Sequence, residues 1–313
     1  MARVAFIGLG NMGGGMAANL AKAGHDVRAF DLVPEALQRA KERGCLPAAS
    51  AEEATAEAEA VVTMLPAGKH VRDVYEASVI SKAPASAILI DCSTIDVATA
   101  REEIEKAQAK GYRMVDAPVS GGIAAAEAGT LTFMVGGGEE AFRRAEPFLA
   151  QMGKAVIHAG GPGSGQAAKI CNNMLLGASM IATCETFVLA RKLGLDPRTF
   201  FDIASKASGQ CWSMTSYCPV PGVGPETPAD GDYEGGFAAA LMLKDLRLAM
   251  EAAQIVDAYT PMGGRAEELY ARFAEALGGA RKDFSGIIRM IDDSWSAPEG
   301  GAAPPPPVTR IED

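Results

Sequence analysis

A glycine turn between a strand and a helix sets the tightest limit on what this chain can become. Val4-Ala-Phe-Ile7 is a short apolar run, and Gly8-Leu-Gly-Asn-Met-Gly13 follows at once. Met16–Ala23 then reads as a helix closed by Gly24. Val27-Arg-Ala-Phe30 is a second strand, with Asp31-Leu32 at its end. A lone G-x-G-x-x-G is a weak signal. With a strand before it, a helix after it and an acid about 20 residues on, it points to a bound dinucleotide. Gly8 permits the tight turn, Gly10 lets backbone approach the pyrophosphate, and Gly13 lets helix and strand pack closely. The helix start turns free N–H groups and a positive dipole end toward the phosphates. Asp31 can accept hydrogen bonds from the adenosine ribose, and its charge repels a 2′-phosphate, so NAD is expected over NADP. Leu9, Asn11, Met12 and Leu32 complete this set of expected cofactor contacts.

Strand and helix patterns then alternate. Pro34–Arg43 and Ala51–Ala58 read as helices, Val61–Leu65 and Ile88–Cys92 as strands. The ends of those strands belong on the carboxyl edge of a parallel sheet, where ligands bind. Met64, Leu65 and Pro66 can line the cofactor there, and Thr94 can offer a hydroxyl; each equally suits a strand end or a helix cap. Arg101–Lys110 reads as a charged helix and Tyr112–Val119 as one strand running into Ser120-Gly121-Gly122. That loop is either an ordinary turn or a nest of N–H groups and a hydroxyl that holds a carboxylate. Leu131–Val135 and Ala155–His158 are the last strands, with a helix over Glu139–Met152 between them.

From Gly165 to Lys192 an apolar helical pattern persists for about seven turns. Gly177, Ala178, Ser179 and Ala182 are small, which suits close packing of another helix. A buried helix joining two domains accounts for most of this stretch without chemistry. Lys169 and Asn173 are the informative exceptions. They lie four apart, share one face, and together can hold one small oxygen-bearing ligand. A lysine on such a helix is costly unless it has a partner or a task. Asp196-Pro-Arg opens another helix. Trp212–Asp232 is irregular, and a loop of that length in a compact domain is usually functional. Trp212 and Tyr217 either close over a small substrate or simply pack. Phe237–Ala253, Glu267–Ala276 and Phe284–Asp292 read as helices, the first carrying Lys244 and Asp245, for which a surface ion pair is the plain reading.

Four motifs in order resemble the β-hydroxyacid dehydrogenases. They are the glycine turn with Met16–Leu20, Asp116-Ala-Pro-Val-Ser-Gly-Gly122, Gly163-Ser-Gly-Gln-Ala-Ala-Lys-Ile-Cys-Asn-Asn173 and Lys244-Asp-Leu-Arg-Leu-Ala249. The resemblance runs from about residue 3 to about residue 290. It implies a catalytic Lys169, a substrate-positioning Asn173, substrate contact at Ser120, Gly121 and Gly122, and Lys244 near the cofactor with Asp245 beside it. One departure is Gly15, where the family usually has proline, which loosens the first helical turn. The implied reaction is NAD-dependent oxidation of a small 3-hydroxy acid, 3-hydroxyisobutyrate to methylmalonate semialdehyde. Reductases of tartronate or succinic semialdehyde and serine-type dehydrogenases share every motif. Ile123, Trp212, Tyr217 and Phe237 would shape the pocket that chooses between them. A protein that binds NAD without turnover is the non-enzyme alternative.

In that reaction hydride leaves carbon for the nicotinamide and a proton leaves oxygen. Lys169 as the neutral amine would take the proton. A free lysine has pKa ~10.4 and a useful base ~7–8; burial and the cationic nicotinamide both push downward.

The expected fold class is an α/β Rossmann-type domain with a mainly parallel sheet, plus an all-α domain. The boundaries are 1–162 for the NAD domain, 163–192 for the interdomain helix, 193–296 for the helical domain and 297–313 for a Pro-rich, flexible tail. A formal charge of -10 over 313 residues argues against a nucleic-acid surface. No apolar run is expected to reach the ~20 residues of a membrane span. Six scattered cysteines and three histidines complete no metal pattern, and reduced thiols suit a cytoplasmic protein. The strand at Arg3 leaves no room for a leader peptide. The resemblance suggests a homodimer or homotetramer built through the helical half.

Overall fold

The computed structural model describes residues 1–80 and 82–293. The chain divides into two compact units between Asn172 and Asn173, inside one long helix. The Pro-rich tail lies outside the described residues.

Unit 1 is a twisted sheet with helices on both faces. In chain order it runs β1 Arg3–Ile7, α1 Gly13–Lys22, β2 Asp26–Phe30, α2 Pro34–Glu42, β3 Leu46–Pro47, α3 Ala51–Thr55 and β4 Ala60–Thr63. It continues with α4 Gly68–Val74, β5 Ile88–Asp91, α5 Val97–Ala109, β6 Arg113–Asp116, β7 Val119–Ser120 and α6 Gly122–Ala128. β8 Leu131–Gly136, α7 Glu139–Leu149 and β9 Gly153–Gly160 follow, and α8 Ser164–Lys192 begins here. The strand order is β3-β2-β1-β4-β5-β6-β8-β7, with β9 on β8. β3 through β6 are parallel throughout, in the order of dinucleotide folds. β8 is antiparallel to β6 and β7 and parallel to β9. Successive side chains of a strand face opposite ways, so each inner strand feeds two cores. Val4, Phe6, Val62, Ile88 and Ile90 enter one. Ala5, Ile7, Val61 and Leu89 enter the other. Helical cover on both faces is what a parallel sheet requires.

Three details depart from the sequence reading. The expected single strand over Tyr112–Val119 is two strands. β6 stops at Asp116, where the Ala117 N–H donates to the Asp91 carbonyl at 2.7 Å and the Asp116 side chain turns into the start of α8. α4 and α6 are additional helices, the latter opening at Gly121-Gly122, with φ +136° and +73°. α1 starts at Gly13 rather than Met16. Helix propensity opposes three glycines there, but packing decides. A Cβ on Gly13 would lie 2.0 Å from the Gly8 carbonyl oxygen, and one on Gly15 would lie 2.9 Å from the Ala126 backbone of α6.

Unit 2 is helical. The later turns of α8 place Met180, Ile181, Cys184, Phe187 and Val188 in its core. α9 Pro197–Ala204 starts behind Asp196, whose carboxylate accepts from the Thr199 N–H at 2.9 Å, with proline in the first turn. α10 Trp212–Thr215 and a 3₁₀ turn over Pro228–Gly231 interrupt the segment read as irregular. α11 Ala239–Ile255, α12 Pro261–Ala271 and α13 Ile288–Ile291 complete the unit. α12 begins six residues before the expected Glu267, since Gly263 and Gly264 hide it from a propensity reading. A Cβ at Gly263 would lie 2.6 Å from Met250 Cε and 2.7 Å from Met174 Sδ, so the glycine is where helices meet. Gly177 serves likewise, 3.2 Å from Met242 and Leu246 of α11 by the same measure.

By length and composition α8 is apolar enough to cross a membrane, contrary to the expectation that no such run exists. A helix at the centre of a protein core has the same composition, and the core residues just named account for it.

Candidate active site

The glycine turn sits at the carboxyl ends of β1 and β4. Gly8 has φ +96°, a conformation that favours glycine, and a Cβ there would be 2.3 Å from the Met64 carbonyl oxygen. Its N–H donates to the Phe30 carbonyl at 2.9 Å, tying the turn to β2. Asp31 closes the loop from the other side. One carboxylate oxygen accepts from the Leu9 N–H at 2.6 Å, the other from the Val33 N–H at 2.8 Å. Gly10 by contrast has nothing within 4 Å of a would-be Cβ. A groove of about 490 Å³ opens beside it, lined by Leu9, Gly10, Asn11, Gly14, Arg39 and Ile123 among others. α1 has no side-chain cap and no acid in its first turn. Its leading N–H groups and dipole therefore remain for an anion, which fits a dinucleotide pyrophosphate. Met12 packs against the core, while Asn11 and Leu32 are exposed.

Met64 and Leu65 are half-buried and Pro66 exposed at the end of β4. The Leu65 N–H donates to Ser93 Oγ at 2.8 Å, and Ser93 Oγ donates to Asp91 at 2.6 Å. Asp91 also accepts from Thr63 Oγ1 at 2.8 Å and is fully buried. Burial pushes its carboxyl up to about 6, against the lowering effect of the Ser93 and Thr63 hydrogen bonds. The loops after β4 and β5 thus hang from one carboxyl group. Thr94 sits half-buried in the second loop.

The start of α8 is held by its neighbours in the sheet. Asp116 accepts from the Gly163 N–H at 2.9 Å and the Gln166 N–H at 2.8 Å, a helix cap supplied from 50 residues away. Burial is the largest influence on its carboxyl and raises it, against the lowering by these N–H bonds. Gly136 and Gly165 have no room for side chains beside it. Three residues into α8 from Gln166, on the same side, comes Lys169, 7% exposed. Asp116 and Gln166 had no assigned role in the sequence reading. The signal for Asp116 was a carboxylate between Val115 and Ala117 in an apolar strand.

Ser120, Gly121 and Gly122 lead from β7 into α6. A Cβ on Gly121 would lie 2.6 Å from Ala125 Cβ, whereas Gly122 faces open space. Gly15 lets α6 lie directly on α1, and Asn19 Nδ2 donates to the Ala126 carbonyl at 2.8 Å. The departure at Gly15 is thus a close helix contact rather than a loosened turn.

Unit 2 carries the remaining residues. Asn173 is 1% exposed and its Nδ2 donates to Asp245 Oδ2 at 2.5 Å. Asp245 is itself buried, so it is not part of a surface ion pair. Its other oxygen lies 3.3 Å from Lys244 Nζ, an ion-pair distance without hydrogen-bond alignment. Trp212 stacks on Tyr217 with ring centroids 4.8 Å apart, and Tyr217 on Phe284 at 5.5 Å. Phe237 meets Phe284 edge-on at 5.8 Å. Asp283, fully buried, accepts from Tyr217 Oη at 2.9 Å and the Phe237 N–H at 2.8 Å. Phe284 and Asp283 were missing from the expected set. Trp212 stays half-exposed at the end of this stack. Ile123, expected beside these aromatics, belongs to the unit 1 groove. Among the described residues no group of three His, Cys, Asp or Glu is placed to hold a metal.

A parallel sheet of this order with an open glycine turn, joined to a helical unit, defines a dinucleotide-binding oxidoreductase architecture. Residues 3–161 match the family described as the NAD binding domain of 6-phosphogluconate dehydrogenase. Residues 163–291 match that described as NAD-binding of NADP-dependent 3-hydroxyisobutyrate dehydrogenase. The chain belongs to the β-hydroxyacid dehydrogenase family. It is 50% identical over 293 residues to 3-hydroxyisobutyrate dehydrogenase of Pseudomonas aeruginosa, covering 93% of this chain and 98% of the relative. It is 45% identical over 294 residues to the NAD-dependent L-serine dehydrogenase of that organism, with the same coverage. The solved structure of Mycobacterium tuberculosis 3-hydroxyisobutyrate dehydrogenase with L-serine superposes with a TM-score of 0.89 at 48% identity, covering 93% of this chain and 99% of that one.

Proposed function

We infer that this protein is an NAD-dependent 3-hydroxyisobutyrate dehydrogenase, oxidising the primary alcohol of its substrate to methylmalonate semialdehyde. The observation that carries this is Lys169, buried on a helix whose start is locked into the nucleotide-binding sheet. NAD bound at the glycine turn supplies the hydride acceptor. α1 offers its N–H groups to the pyrophosphate. Asp31 presents carboxylate oxygens where a ribose 2′-hydroxyl can donate and a 2′-phosphate would be repelled, so NAD is the coenzyme despite the NADP in one family description. Met64, Leu65, Pro66 and Thr94 flank it, and the family resemblance assigns Lys244 to it as well.

The chain's own chemistry is one proton transfer. Ser120, Gly121 and Gly122 hold the substrate carboxylate through N–H groups and a hydroxyl. Asn173, one turn after Lys169 on α8, donates to the substrate oxygen, and Asp245 fixes that amide. Lys169 as the neutral amine takes the hydroxyl proton while hydride leaves the carbon that bears that hydroxyl for NAD; as the ammonium it returns the proton in reduction. Trp212, Tyr217 and Phe237 form the apolar wall on unit 2.

Serine is the second reading, favoured by the L-serine dehydrogenase relative. It shares the carboxylate and hydroxymethyl group and differs by an ammonium where 3-hydroxyisobutyrate has a methyl. An NAD-reduction assay against 3-hydroxyisobutyrate, L-serine and the 3-hydroxy acids of the semialdehyde reductases separates them. The highest kcat/KM is expected with 3-hydroxyisobutyrate; a higher value with serine reverses the assignment. The enzyme is further proposed to be cytoplasmic and a homodimer or homotetramer.

A further inference from the structure

Gln166 is fully buried, yet neither end of its amide is spent on its own helix. Nε2 donates to the Ser93 carbonyl at 2.7 Å, and Oε1 accepts from the Ile95 N–H at 3.1 Å. Both partners belong to the loop after β5, on either side of Thr94. Ser93 Oγ in turn carries the Leu65 N–H and rests on Asp91. The backbone of Gln166 is held independently, its N–H on Asp116. One side chain therefore joins the two loops beside the cofactor to the helix turn that precedes Lys169, all inside unit 1. Nothing about packing demands an amide here. A leucine of similar size would fill the space without desolvating two polar ends.

We propose that Gln166 is a positioning residue for the dehydrogenase reaction: its amide clamps the Ser93–Ile95 loop to α8 and so fixes the spacing between the cofactor loop and the Lys169 amine. The inference rests on the role given above to Lys169. Hydride and proton leave adjacent atoms in one transition state, so an error in this spacing penalises turnover far more than binding.

The test compares wild type, Gln166→Leu, Gln166→Glu and Lys169→Ala. The leucine removes both bonds; the glutamate keeps an acceptor for the Ile95 N–H but sets an oxygen against the Ser93 carbonyl. Both Gln166 variants are expected to lose about tenfold or more in kcat, with KM for NAD and for 3-hydroxyisobutyrate within about threefold of wild type. Amide exchange in the protein without nucleotide gives an independent readout. The Ile95 N–H should exchange at least about tenfold faster in Gln166→Leu and near the wild-type rate in Gln166→Glu, while β1 and β4 amides stay protected. A kcat within twofold of wild type in Gln166→Leu overturns the proposal. So does a kcat loss that merely tracks a lowered folded fraction. If the leucine variant does not fold, the glutamate variant carries the kcat criterion: a kcat within twofold of wild type there overturns the proposal. A wild type inactive on every 3-hydroxy acid, or an active Lys169→Ala, refutes the reading of the reaction instead.

Discussion

The two units build their functional surfaces in opposite ways. Unit 1 does so mainly with backbone. Gly8 and Gly13 shape the turn after β1, where a Cβ would meet backbone, Gly10 leaves it open, and Gly121 and Gly122 turn the chain into α6; the main-chain N–H groups of both turns are the groups proposed above to meet ligand. Side chains there act from behind, as Asp91, Asp116 and Gln166 hold loops by their main-chain groups. Unit 2 has such a turn at Gly235-Gly236, where a Cβ on Gly236 would lie 2.2 Å from Asp283, and otherwise relies on side chains paired in a helical core. Asn173 rests on Asp245, and Tyr217 rests on Asp283. A backbone site fails when an atom is added, because there is no space. A side-chain site fails when an atom is removed, because a buried partner is left without its hydrogen bond.

The largest effect tests the residue that stands just before the divide. Lys169→Ala should lower kcat by roughly 10²–10⁴ while NAD affinity, read by nucleotide titration, changes little. Near-normal turnover would remove the acid–base role.

Next comes the buried carboxyl behind the loops that follow β4 and β5. Asp91 is held near 6 in the folded protein and near 3.9 when unfolded. The folded state thus binds the extra proton, and its stabilising contribution is complete below about pH 4 and lost as pH rises through about 6. The step amounts to about 3 kcal/mol at most. Asp91→Asn should flatten that part of the stability–pH curve measured by denaturant unfolding. Asp116 and Asp283, also raised by burial, act in the same direction and remain in the variant. An unaltered slope between pH 4 and 6 would refute the assignment to Asp91.

A matched pair addresses the contrast directly. Gly13→Ala adds one methyl 2.0 Å from the Gly8 carbonyl and should cost about 1–3 kcal/mol, seen as weaker NAD binding and a lower Tm. Asn173→Ala removes the donor to Asp245 and should cost a comparable 1–3 kcal/mol or about 10–100-fold in kcat/KM, with NAD binding intact. If the first spares NAD binding or the second spares catalysis, the division of labour is wrong. The smallest expected change is coenzyme choice. Asp31→Ala should shift the NAD-to-NADP preference by about tenfold toward NADP, since it removes one repulsive charge.

Legibility followed the same divide. The turn at Gly8–Gly13, the acid at Asp31, the inner strands and the helix bearing Lys169 were all visible, because each leaves a local pattern of fixed period or spacing. The split at Asp116 was not, since it depends on N–H groups presented from residues 163–166. α12 and α1 start earlier than propensity suggests, because Gly263, Gly13 and Gly15 were chosen for contact with other segments. Asp245 looked like a surface ion pair and is buried; Phe284 and Asp283 had no signal, since an aromatic stack assembled from residues 212 to 284 has no sequence period.

What the amino-acid order alone determined was the dinucleotide fold, the coenzyme and the helix face shared by Lys169 and Asn173. Those follow from backbone sterics, local dipoles and the 3.6-residue turn, which act over a few residues. Only the tertiary structure decided which polar groups stand behind them: Asp116 and Gln166 in the first unit, Asp245 and Asp283 in the second. A buried hydrogen bond is chosen by whichever donor lies within about 3 Å in space, and chain separation carries no information about that distance.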